Sequence, residues 1–141
     1  MLCSPIADWV TMTERLRSQF FTVVLDESQK LVRVIRSPVV FDTVPTVIKA
    51  WREVDTALPS SMRKGLSLMV DLRQAPSRND PEFERAIRTV LPEIRKGFRM
   101  IGVLVRSAVG GLQVSRMGRA DGVIELISSN EPEMLKYLQN G

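Results

Sequence analysis

There is no histidine in these 141 residues and only one cysteine. The first absence removes the commonest acid-base side chain and the commonest metal ligand, which disfavours zinc hydrolases and triads with a histidine base. The second leaves Cys3 without an internal disulfide partner or a nearby metal-ligand companion, so it reads as a surface thiol. No apolar run approaches the ~20 residues that span a bilayer. Asp8 interrupts Ile6-Ala7-Asp8-Trp9-Val10 and no basic segment precedes it, so no export signal is expected. A cytoplasmic protein without a cofactor or bound metal follows as the expectation. Aromatic residues make up only 6% of the chain, and no base-readout motif accompanies the net charge of +4, which argues against nucleic acid as a partner.

The apolar fraction, 44%, is enough for one domain with a continuous core. Charge is unevenly spread: from Arg63 to Arg119 there are 12 basic and 5 acidic residues, and elsewhere 8 and 11. An electropositive face from the middle of the chain would favour anionic partners, although solvated surface accounts for most such residues.

The chain is organised around residues 66 to 107. Leu66-Ser67-Leu68-Met69-Val70-Asp71-Leu72 and Met100-Ile101-Gly102-Val103-Leu104-Val105 are strand-length apolar runs, each expected to be buried on both faces. Between them Phe83, Ala86, Ile87, Val90, Leu91 and Ile94 recur at helical spacing, giving a β-α-β crossover. Asp80 is a good N-cap with Pro81 at the first helical position, and Pro92 is expected to kink or end this helix early.

Upstream, Phe20 to Leu25 and Leu31 to Arg36 flank a polar turn and read as a hairpin. Val44, Val47, Ile48, Trp51, Val54 and Leu58 then mark an amphipathic helix with Trp51 as a core anchor. Residues 1 to 18 are read as an N-terminal extension preceding a single domain over 19–141. Ser4-Pro5 could start a helix there with Ile6, Trp9, Val10 and Leu16 near one face, either docking on the domain or packing loosely. Downstream, Gly110-Gly111 precedes a short helix over Leu112 to Ala120, Val123 to Ile127 form a last strand, and Asn130 and Glu133 have capping-box spacing before a closing helix.

The resulting order, β-β-α-β-α-β-α-β-α over roughly Phe20 to Leu138, resembles the STAS superfamily of SpoIIAA-like anti-sigma-factor antagonists. Element order and lengths carry the resemblance, together with the strand-ending Asp71-Leu72 and the loop into Asp80-Pro81. It implies an α/β fold: a mixed sheet of about five strands, the first antiparallel and the later ones largely parallel, flanked by about four helices. It also implies a bacterial regulatory module whose partner is an anti-sigma-type protein or a kinase. In switching members a serine in a pattern like Asp-Ser-Ser-Gly-Leu-Gly is phosphorylated at the start of the helix after the third strand. Here Asn79-Asp80-Pro81-Glu82-Phe83-Glu84 lacks that serine and the glycines, so Asp80 is either a fixed negative charge or an ordinary N-cap, and Ser77 is the nearby candidate phosphosite. A looser resemblance to STAS-related bacterial proteins of unassigned function keeps a lipid or other small ligand open.

Loops at the carboxyl ends of parallel strands commonly build the binding edge of an open α/β sheet. The third-strand loop offers Arg73, Ser77, Arg78 and Asn79 beside Asp80, and the fourth-strand loop offers Arg106 and Ser107. Guanidinium groups and helix N-terminal amides there could receive a protein partner or a small anion; the alternative is arginines that only solvate loop ends. Gly110-Gly111 is not a P-loop, because no Gly-Lys-Ser or Gly-Lys-Thr follows. With no nucleophile-base pair legible, a non-enzymatic interaction module using the third-strand loop and its helix is the preferred reading, and a lipid or small-ligand domain the alternative.

Overall fold

Phe21–Asp26 (β2) and Leu31–Arg36 (β3) pair antiparallel with Phe21 opposite Arg36, as the two β-rich runs predict. Their turn is held by Asp26, whose carboxylate accepts from the Ser28 hydroxyl at 2.7 Å and from the Gln29 amide groups, while Lys30 takes a positive φ of 51°. The computed structural model describes residues 12–76, 80–107 and 126–140. Within them lies one six-stranded sheet in sequential order.

Met12–Arg17 (β1) pairs antiparallel with β2, and Ser67–Asp71 (β4), Ile101–Leu104 (β5) and Leu126–Ser128 (β6) add in parallel beyond β3. The sixth strand is the departure from the expected five. Leu16 belongs to an edge strand and packs on the core, rather than ending an N-terminal helix. Strand pairing overrode a local sequence with no strong preference, and a bulge between Glu14 and Leu16 keeps Leu16 facing inward opposite Val23. The sheet therefore begins at Met12, inside the stretch read as an extension. Ile6, Trp9 and Val10 lie outside the described residues, as do Gly110-Gly111, the helix expected over 112–120 and the start of the last strand at 123–125.

Val44–Ala57 (α1) starts where Thr43 caps the Thr46 amide at 3.3 Å with Pro45 in the first turn. It is followed by the single turn Ser60–Arg63 (α2). Pro81–Arg95 (α3) bridges β4 and β5, and Glu131–Asn140 (α4) follows β6. The β3–β4 and β4–β5 crossovers step in the same direction, so the right-handed rule places α1 and α3 on one face, and they share a core with Val23, Val32, Val34, Leu68 and Val103. Trp51 is its anchor, 4% exposed with its ring 4.5 Å from that of Phe21. The opposite face is covered by α4 through Leu31, Met69, Leu104, Met134 and Leu138.

Pro92 does not end the helix early, since α3 runs on through it to Arg95. The lost hydrogen bond falls in the helix's last turn, and the buried Leu91, Ile94 and Arg95 hold that turn on the core. No helix among the described residues is long and apolar enough to cross a membrane.

Candidate interaction edge

Because β3, β4 and β5 are parallel, their carboxyl ends and the loops that follow lie along one edge. The register sets Ile35 beside Asp71 and Asp71 beside Leu104, so the two loops singled out from the sequence begin side by side. Arg106 and Ser107 are exposed there. Asp80 caps α3, its carboxylate accepting from the Phe83 amide at 3.3 Å. Ser77, Arg78 and Asn79 lie outside the described residues.

Arg73 is committed to neighbouring carboxylates. Its Nε donates to Asp71 Oδ1 at 3.0 Å, and its Nη2 to Asp71 Oδ2 at 2.7 Å and to Glu131 Oε1 at 2.8 Å. The Arg73 amide also donates to Asp71 Oδ1, closing the turn that leaves β4. Arg33 reaches the other Glu131 oxygen at 3.4 Å. Glu131 lies in the first turn of α4, where the helix dipole also favours its charge. Two arginines thus bind the start of α4 to the sheet. Asn130 completes that start by accepting from the Glu133 amide, while its own amide goes to the Ser128 hydroxyl rather than to the Glu133 carboxylate of a full capping box.

Burial pushes the Asp71 carboxyl up, but the hydrogen bonds and charge of Arg73, with Arg33 behind, outweigh it and hold the group below the ordinary carboxylate value. A depressed folded pKa contributes stability above the unfolded value of about 3.9, lost as the pH falls through the folded midpoint. Arg73→Gln should therefore raise the Asp71 midpoint, read by carboxyl carbon NMR. It should cost about 1 kcal/mol at neutral pH, a modest figure because the Arg73 side chain is 39% exposed. That difference should shrink on acidification; a wild-type Asp71 midpoint at or above the ordinary value would refute the assignment.

The loop after β3 adds what the sequence reading did not single out. Val39 and Val40 are 39% and 63% exposed on this same edge, two of the three large exposed hydrophobics among the described residues. Just before them Arg36 is 4% exposed, with its guanidinium carbon 4.0 Å from the ring centre of Phe41, 5.6 Å from Phe20 and 5.7 Å from Phe21. It donates from Nη1 to the Ser37 carbonyl at 2.6 Å and to the Ser37 hydroxyl at 3.4 Å, and no carboxylate among the described residues pairs with it. Burial pushes its pKa down to about 10, so it remains a cation at neutral pH. Each ring contact is worth about 0.5–2 kcal/mol, which only partly offsets the several kcal/mol that burying an ion costs. The signal available in sequence was a strand-ending arginine between Phe20-Phe21 and Phe41.

Among the described residues no group of acidic or cysteine side chains could hold a metal ion. Comparison with known families, curated proteins and solved structures finds no match.

Proposed function

We propose that this chain is a non-enzymatic regulatory protein-interaction module of the STAS type, whose partner docks on the carboxyl edge of the sheet. The observation that supports it is the pairing of exposed Val39 and Val40 with the exposed Arg106 on loops of one edge. An apolar centre bordered by arginine is the composition of a recognition surface. The loop at Ser77, Arg78 and Asn79 and the start of α3 belong to the same proposed face.

The test is affinity capture from native lysate with wild type and with a Val40→Asp, Arg106→Glu variant of unchanged circular dichroism and melting temperature. A protein whose capture falls by roughly tenfold or more with the variant supports the reading. Equal recovery by both removes this edge as the docking face.

A small-ligand or lipid-binding domain is the second reading, favoured by an open groove of about 700 Å³ beside β1, whose lining includes Leu16, Pro45, Ile48, Lys49, Arg52 and Glu53. A small molecule retained in native mass spectrometry and lost on Ile48→Asp would replace the first reading with this one.

A further inference from the structure

A buried guanidinium normally has a carboxylate beside it, because the ion otherwise loses its hydration without return. Arg36 is walled by the rings of Phe20, Phe21 and Phe41, and its hydrogen bonds all leave from Nη1 to Ser37. Its Nε and Nη2 form the planar fork that takes a carboxylate through two parallel hydrogen bonds. Neither atom has a hydrogen-bond partner among the described residues. The unspent fork of Arg36 lies at the root of the loop that exposes Val39 and Val40.

We propose that Arg36 is the receptor for a carboxylate with an apolar stem, the charged group seated on the Nε–Nη2 fork and the stem lying against Val39 and Val40. One fixed positive charge among phenyl rings matches a monoanion, whereas a phosphate monoester would bring nearly two negative charges to the same poorly hydrated place. A carboxylate of this kind comes either as a free organic acid or as an acidic side chain of a docking protein next to an apolar residue. The site adds a ligand class to the edge proposed above, and its test needs no partner protein.

The experiment follows the Arg36 Nε–H signal by NMR while hexanoate, or a short peptide with one glutamate between leucines, is titrated against sodium chloride at equal ionic strength. Inorganic phosphate serves as the control anion. The expected result is a saturable shift of that signal with both carboxylates and little with phosphate. Tighter binding of the peptide identifies a protein side chain as the source, and tighter binding of hexanoate a free acid. Arg36→Met should abolish saturable binding, followed on the Val39 and Val40 amides, while leaving the melting temperature equal or higher, because a buried ion gives way to a well-packed apolar chain. A wild-type Nε–H signal indifferent to both carboxylates overturns the proposal. So does saturable binding that survives in Arg36→Met. A lower melting temperature for Arg36→Met together with an unresponsive wild type makes the residue a structural plug for the Ser37 turn.

Discussion

Arg63→Ala is expected to lose about 3–5 kcal/mol of folding stability, the cost of leaving several helix-end carbonyls without their donor. Arg63 is 3% exposed and joins the ends of two helices. Its Nε donates to the Leu58 carbonyl at 2.6 Å, and its Nη2 to the Asp55 carbonyl at 3.3 Å and the Asp55 carboxylate at 2.6 Å. Its Nη1 is shared among the carbonyls of Glu93, Ile94 and Lys96 at 2.7, 3.1 and 3.0 Å. These carbonyls close α1 and α3 at the negative end of each helix dipole, and of them Asp55 also accepts from the Leu58 amide at 3.1 Å. A single cation answers both helices. Its carbon sits 5.2 Å from the Phe98 ring centre, and its stem packs where Gly97, at φ 86°, turns the chain out of α3.

Alanine would leave the carbonyls of Leu58, Glu93, Ile94 and Lys96 without this donor at once, and a small domain has only about 5–15 kcal/mol to lose. Arg63→Lys should recover a minority of the loss, because a point-like ammonium cannot serve carbonyls spread around a planar fork. Urea unfolding followed by circular dichroism measures both. An alanine variant within about 0.5 kcal/mol of wild type would show that water replaces the guanidinium, contrary to its burial.

The difference between what could and could not be read from sequence follows the range of the interactions. The hairpin, the Trp51 stripe and the Asp80-Pro81 helix start depend on neighbours within one or two turns, and each stands as the sequence predicts. Arg63 entered the sequence reading only as one of many basic residues, because the carbonyls of α3 that it holds lie 30 to 33 residues away. Arg73 was legible as a basic residue at a strand end, but the carboxylate that occupies one of its nitrogens is 58 residues distant. Met12–Arg17 failed for a related reason: a mostly polar edge strand has too little alternation to announce itself, and its pairing with β2 supplies what local preference does not. For the candidate edge, the parallel strands beside it were legible, whereas the exposure of Val40 and the burial of Arg36 depend on how the loop after β3 packs.

Gly102 shows the same limit inside a strand that was read correctly. In the run over residues 100 to 105 it marks the place where α4 comes closest to the sheet, and there its missing side chain matters more than strand propensity. A Cβ built on Gly102 would overlap the Met134 sulfur and come within 3.2 Å of the Met134 methyl and 3.4 Å of Leu138. Met134 and Leu138 are 0% and 2% exposed. The helix has little freedom to back away. Its first turn is tied through Glu131 to Arg73 and Arg33, and near its other end the Leu138 carbonyl accepts from both the Ser67 hydroxyl and Arg99. Gly102→Ala should therefore cost about 1–3 kcal/mol by overpacking, limited to that range because a methionine can change rotamer, and Gly102→Val should reach or exceed its upper end.

The diagnostic measurement is the double variant Gly102→Ala, Met134→Ala. Met134→Ala alone should cost about 2–5 kcal/mol by leaving a cavity, and the new methyl group fills part of it. The pair should then cost less than the sum of the singles by about 1 kcal/mol or more, as expected for residues in direct contact. Hydrogen exchange locates the effect: in Gly102→Ala the amides of α4 should lose protection before those of α1 and α3, because α4 covers its own face of the sheet. Additive costs, or an even loss of protection across all three helices, would mean that α4 is not held off by that methyl group.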